Sequence, residues 1–258
     1  MSGSTNIVLY DGRTADELAA ILDLPRVVLF SEIGSTLDVT HELGEEGAAP
    51  GTLVLADEQT AGRGRLGRSW QSDRGAGIWL TLLERPTHDD ALGVLALRLA
   101  LALAPALEPY ADGPLRLKWP NDVFIGDRKL AGVLVEARWR GPRLDWLAVG
   151  VGINVRAPER FGGGSLKLNI DRLAVLRDVI PGLRSAASSH GPLTENELAR
   201  FRARDLALGR RSSAPGHGIV AGVRADGALL VDGDGGEREA YHAGSLVLTG
   251  DNSLGSHP

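Results

Sequence analysis

Cysteine is absent from all 258 residues. That one absence excludes a disulfide framework, a thiolate metal site, and a thiol nucleophile or thioester intermediate. Positive charge is in deficit as well: the formal net charge is −5. General attraction to nucleic acid or an anionic membrane is therefore not expected, and any anion recognition must come from local clusters. No long hydrophobic run is uninterrupted. The longest, from Ala91 to Leu107, contains Arg98 and Pro105 and reads as a buried helix rather than a membrane span. The six histidines show no metal-ligand spacing, so no metal-binding site is predicted among them. No basic and apolar leader opens the sequence, and the expectation is a cytoplasmic protein without a membrane partner. Lysine is scarce too, at three of 28 basic residues, yet Lys118 and Lys129 fall in one segment, KWPNDVFIGDRKLAG. Clustering so few ammonium groups suits a site that handles phosphate and carboxylate oxygens with compact charges on flexible stems, and equally chance or a salt-bridged hairpin.

What is present suffices for one large α/β unit with a small appendage. Thr14 and Glu17 have the spacing of a capping box for a helix through Asp23, and Thr194 and Glu197 repeat it for a helix through Leu208. A further helix is expected from Asp89, and another over 171–187. Strands are expected over 26–30, 52–56, 78–83, 115–119, 130–139 and 144–155, with FGGGS (161–165) as a loop. This succession predicts an α+β fold with a mixed β-sheet rather than regular βαβ alternation. From Gly209 the style changes to short alternating runs separated by DG and GDGG turns, which reads as a small β-barrel of about four strands. The division is thus 1–208 and 209–258. DGDGGE (232–237) lacks a full set of calcium ligands and reads as a hairpin turn. The first 25 residues hold one good helix at most, too little for a helix-turn-helix, so no nucleic-acid partner is expected.

Between two strands lies DEQTAGRGRLGRSW (57–70), where Gly62, Gly64 and Gly67 alternate with Arg63, Arg65 and Arg68. It satisfies G-x-G-x-x-G, but no helix follows to receive a dinucleotide pyrophosphate. It also misses a P-loop, because Arg68 stands where lysine belongs. What remains is a loop offering guanidinium forks and free backbone N–H groups to phosphate or carboxylate oxygens. Its glycines let the backbone approach a ligand closely and fold over it.

In LRLKW the strand alternation turns Lys118 away from Leu115 and Leu117. Pro120, Asn121 and Asp122 break the strand, VFI resumes it, and a Gly126–Asp127 turn delivers Lys129 to the next strand. Gly132 marks close approach of a ligand or neighbouring backbone. Asn154, ending GVGIN, can hydrogen-bond a base or hydroxyl.

Taken in order, GST (34–36), DEQTAGRGRLGRSW, KWPNDVFIGDRKLAG and GVGIN (150–154) closely resemble the biotin protein ligase family across about Phe30 to Val155. The last fifty residues resemble that family's SH3-like domain more weakly. The resemblance implies ATP-dependent activation of biotin to biotinyl-5′-AMP, then transfer to a lysine of a biotin carboxyl carrier domain of a carboxylase. Magnesium would accompany the ATP. By matching positions, Ser35, Thr36, Gln59, Gly62, Arg63, Lys129 and Gly132 would bind biotin. Arg63, Gly64, Arg65, Trp70, Lys118, Asn121 and Asn154 would hold ATP or the adenylate, with Lys129 and Arg65 catalytic. Asp122 is a secondary candidate for the magnesium side. Leu37 departs from the family's usual asparagine after Ser-Thr, and Ser72-Asp73 replaces a common Ser-Pro. The nearest competing family, the lipoate and octanoate transferring enzymes, lacks this Gly-Arg loop and KWPND. A repressor role is not expected, and a strand edge would allow a homodimer without demanding one.

Overall fold

The structure is a computed structural model that describes residues 8–156 and 163–250. Seven strands form one mixed sheet: β1 (Val27–Phe30), β2 (Thr52–Ala56), β3 (Gly77–Glu84), β4 (Leu115–Lys118), β5 (Asp122–Ile125), β6 (Arg128–Arg140) and β7 (Arg143–Asn154). Their spatial order is β1-β2-β3-β7-β6-β5-β4. Only β1 and β2 run parallel; every other neighbouring pair is antiparallel. All residues of β2 and β3 are buried, as expected of central strands covered on both faces.

One face carries α1 (Ala15–Leu22), α3 (Leu95–Leu107) and α4 (Arg172–Ala187), with α5 (Glu195–Arg204) behind them. Both capping boxes form as their spacing predicts, at Thr14–Glu17 and Thr194–Glu197. The apolar run is the core helix α3, starting at Leu95 rather than Asp89 because residues 89–94 form turns. Its buried Arg98 finds partners in Glu197 and in the carbonyls of Gly191 and Pro192, so the charge is tolerated. Among the described residues no helix is long and apolar enough to cross a membrane.

The opposite face of the sheet carries α2 (Thr36–Glu45), an element the sequence patterning does not reveal. It rests on β2, β3 and β7. The chain's last elements make a second, antiparallel sheet: β8 (Arg211–Ala214), β9 (Gly218–Val223), β10 (Leu229–Asp232), β11 (Arg238–Tyr241) and β12 (Val247–Leu248). It has five strands, in the order β11-β10-β9-β8-β12, where the patterning gives about four; β8 is the addition. DGDGGE is the β10–β11 turn, closed by the Gly233 N–H donating to the Glu237 carbonyl at 2.8 Å. Of the loop at 161–165, residues 161 and 162 lie outside the described residues.

Candidate active site

The register of the large sheet sets the site. Reading across one face, Trp79, Gly152, Gly132, Asp122 and Lys118 stand side by side on β3, β7, β6, β5 and β4. Thr81, Gly150 and Leu134 form the next row. Two of these rows' central positions on β7, and one on β6, are glycine, so the sheet surface there is bare backbone. Trp70 lies over it: a Cβ at Gly152 would stand 2.5 Å from its Nε1, and one at Gly132 would stand 3.1 Å from its ring.

Lys129 and Gly132 are three residues apart and in a regular strand would point to opposite faces. A register shift between Val123 and Phe124 places one extra residue on β6, so Lys129 pairs with Phe124 while Ala131 pairs with Val123. This bulge turns Lys129 to the same face as Gly132. Its ammonium sits 2.7 Å from the Asp122 carboxylate and 4.9 Å from the centre of the Trp70 ring. Lys118, directly opposite Asp122, is turned away from Leu117 as the alternation predicts. That face is covered too, however, and Lys118 is buried, with its ammonium 5.4 Å from the Phe124 ring centre. Asn121 donates to the Val133 carbonyl at 2.6 Å and Asn154 to the Lys129 carbonyl at 3.2 Å, so both amides brace the bulged segment.

Ser35 and Thr36 open α2. Ser35 Oγ accepts from the Leu37 N–H at 3.3 Å as the N-cap. Thr36 donates its N–H and its hydroxyl to Gln59 Oε1, at 2.8 and 2.9 Å. Thr81 donates to Thr36 Oγ1 at 2.8 Å, and Gln59 Nε2 donates to Ser72 Oγ at 2.9 Å. The result is a mostly buried polar chain Thr81–Thr36–Gln59–Ser72 at one end of the glycine floor. Leu37 turns inward, with a Cβ at Gly150 falling 3.2 Å from its methyl, so it packs under the helix rather than offering a polar contact.

The Gly-Arg loop is a narrow hairpin. Trp70 N–H donates to the Gly62 carbonyl and Gly64 N–H to the Arg68 carbonyl, at 2.8 and 2.7 Å. A Cβ at Gly62 would fall 2.4 Å from the Trp70 carbonyl, so only glycine closes it. At its tip Leu66 holds φ at 57° and is exposed. Arg65 reaches the Asn121 amide oxygen at 3.4 Å. Partial burial lowers its pKa, opposed by the attraction of Asp122 and assisted by Arg68. Arg63 lies 2.9 Å from Asp38 and 3.5 Å from Glu136. Between this loop and Leu134 and Glu136 of β6 is a cavity of about 410 Å³.

The structure thus gathers Lys129, Trp70, Gly132, Asn154, Arg65 and Asn121 at one end and Ser35, Thr36 and Gln59 at the other, joined by bare sheet. Residues the patterning passes over are Ser72, Thr81, Gly152, Asp38 and His41, and Glu136, whose sequence position suggested no role. Gly150 and Gly152 had a usable signal: two glycines at strand spacing lie on one face of a predicted strand.

A mixed α+β fold brings arginines and lysines to a glycine-floored cleft, an arrangement suited to an enzyme that handles anionic groups beside a small organic ligand. Residues 31–154 match the model of the biotin/lipoate A/B protein ligase family. The biotin–[acetyl-CoA-carboxylase] ligase of Paracoccus denitrificans is 33% identical over 228 residues, 79% of this chain and 93% of that relative. The bifunctional ligase/repressor BirA of Bacillus spizizenii is 31% identical over 229 residues, 82% of this chain and 70% of its own length. Among solved structures, the Aquifex aeolicus biotin protein ligase in complex with biotin and ATP superposes with a TM-score of 0.69 at 30% identity. It aligns over 86% of this chain and 97% of that one. The chain belongs to the biotin/lipoate A/B protein ligase family.

Proposed function

We propose that the protein activates biotin with ATP, forming biotinyl-5′-AMP and pyrophosphate, and then transfers the biotinyl group to a lysine of a biotin carboxyl carrier domain. The observation that carries this reading is the convergence of Lys129 and Arg65 on a floor made of Gly132 and Gly152, beside the Thr36–Gln59 polar chain. Ser35, Thr36 and Gln59 take the biotin head group, whose ureido N–H and carbonyl need matched acceptors and donors. Gly62, Arg63 and Gly132 flank the valeryl chain and its carboxylate, and Gly64, Arg65, Trp70, Lys118, Asn121 and Asn154 take the nucleotide side.

In the first step a biotin carboxylate oxygen attacks the α-phosphorus, and the bond to the pyrophosphate leaving group breaks. Carboxylate and triphosphate repel each other, so Lys129 and Arg65 must neutralise charge as it develops on the α-phosphate oxygens. Lys129 exchanges Asp122 for the two substrate oxyanions. Magnesium would accompany ATP as its counter-ion and screen the triphosphate charge. In the second step the acceptor lysine amine attacks the acyl carbon, AMP leaves, and no enzyme nucleophile is required. The mixed anhydride is water-sensitive, so the Gly-Arg loop orders over it and keeps water out.

We further infer a catalytic unit over 1–208 and a small SH3-like barrel over 209–258, a cytoplasmic setting, and ligation without a repressor role. The net charge of −5 supports the last point. The deciding experiment is ATP–pyrophosphate exchange with biotin, lipoate or octanoate, using Lys129→Ala as control. Exchange with biotin alone, lost in the variant, is expected; exchange with lipoate or octanoate would move the protein to the sister enzymes. Exchange with none would overturn the ligase reading.

A further inference from the structure

Arg63 is tied to two different elements. One guanidinium nitrogen lies 2.9 Å from Asp38 on α2 and another 3.5 Å from Glu136 on β6. Glu136 is itself aimed. His41 Nε2 stands 2.7 Å from its carboxylate, and His41 Nδ1 receives the Trp146 indole N–H at 3.1 Å. An indole nitrogen only donates, so Nδ1 carries the lone pair and Nε2 the hydrogen given to Glu136. The Trp146 ring packs against α2 where a Cβ at Gly44 would be only 2.5 Å away, which fixes the relay to the helix. Arg138 is a further cation near Glu136, at 3.9 Å. Arg63 and Glu136 also line the cavity beneath the Gly-Arg loop.

We propose that Asp38 and Glu136 are positioning residues that hold Arg63 across this cavity and compete with a ligand's carboxylate or phosphate oxygens for its guanidinium. The inference rests on the ligase reading for the identity of that ligand, but the latch itself is built from the chain's own Asp38, Arg63 and Glu136. Each contact is weak on its own: Asp38 is 54% and Arg63 39% exposed, and solvent screens such a pair. A bound anion can therefore take over the guanidinium while the loop stays near its seat. Asp38 and His41 are three residues apart on α2, so one helix presents both groups on the same face.

The test begins without substrate. Cleavage at the exposed Leu66 by thermolysin, which does not need arginine, reports loop opening. Asp38→Asn and Glu136→Gln should each speed cleavage about two- to fivefold; Gln at 136 still accepts the His41 N–H, and Asp38→Glu should restore the original rate. In an Arg63→Ala background Asp38→Asn should add nothing. Equal acceleration with and without Arg63, or none, overturns the latch. In biotin-dependent exchange Asp38→Asn should lower the biotin KM by a similar factor with kcat unchanged, and an unchanged or raised KM overturns the competition. If the unaltered protein shows no biotin-dependent exchange, the ligase reading fails and the cleavage comparison still decides the latch.

Discussion

At the scale of single residues, the site depends on where one ammonium and one methyl-free backbone position stand. Lys129 faces Asp122 and Trp70 only because Leu130 is the extra residue of a bulge. Replacing it by arginine keeps the charge but substitutes a wide planar fork for the compact donor that the proposed mechanism places between two oxyanions. Lys129→Arg should lower biotin-dependent pyrophosphate exchange by about 100-fold or more, with the melting temperature nearly unchanged because the side chain is 36% exposed. Exchange within a few-fold of the original would remove Lys129 from the chemistry. Gly152→Ala is the complementary probe. Its methyl would meet the Trp70 indole at 2.5 Å. Overpacking of this kind costs about 1–3 kcal/mol, so calorimetry should find ATP bound roughly tenfold or more weakly. Unaltered affinity would mean that Trp70 does not roof the ligand site. The motifs named Lys129 and Gly132 in the sequence, but strand periodicity alone puts them on opposite faces; the bulge that unites them has no marker in the chain.

Among the elements, α2 escaped sequence patterning for a physical reason. Its buried stripe is Thr36, Leu37, Thr40, His41, Leu43 and Gly44, only two of them large and apolar, so no hydrophobic period stands out. It can be buried because it faces β7 at Gly150 and its polar groups find partners, Thr40 donating to the Thr36 carbonyl at 2.8 Å while Thr36 pairs with Gln59 and His41 with Glu136. The family resemblance implies Ser35 as a ligand residue and the structure shows it as the helix cap, two roles that one side chain's spacing does not separate. Helices with strong local signals were read well. Glu197, legible as the capping residue of α5, also receives Arg98 from α3, at 2.6 and 3.1 Å. Chiefly through Arg98 its pKa falls to about 2 from the ordinary 4.5, with the Thr194 cap adding to the effect against desolvation. A carboxylate depressed in the folded state stabilises fully above its unfolded pKa and loses that contribution as pH falls through its folded one. Urea unfolding should therefore show Glu197→Gln about 1–3 kcal/mol less stable at pH 7, with the deficit shrinking from pH 4.5 towards 2. A pH-independent deficit would assign Glu197 to packing and capping alone.

For the molecule as a whole, the change of style near residue 209 was visible in the turns, whereas the docking of the second sheet was not. Trp119 was legible only as part of KWPND. In the structure it is buried, joins one apolar cluster with Leu97 and Leu117 of the large unit and Val220, Leu229 and Leu248 of the second sheet, and donates its indole N–H to the Gly227 carbonyl at 2.9 Å. Gly227 has φ of 85°, and a Cβ there would stand 2.9 Å from the Gly93 carbonyl, so the β9–β10 turn fits closely against the segment before α3. Long-range fits of this kind depend on two distant stretches being shaped to each other, which no local window records. Since Trp119 directly follows Lys118, the second sheet buttresses the end of the cleft where Lys118 stands, the side proposed to take the nucleotide. Trp119→Phe preserves most of the apolar contact and leaves the Gly227 carbonyl without its donor, at a cost of about 1–3 kcal/mol. Calorimetry should record one cooperative transition at lower temperature, and exchange kinetics should show the ATP KM raised more than the biotin KM, because Lys118 shifts while Thr36 and Gln59 do not. Two separate transitions with unchanged ATP kinetics would instead mean that the small sheet folds and acts independently of the cleft.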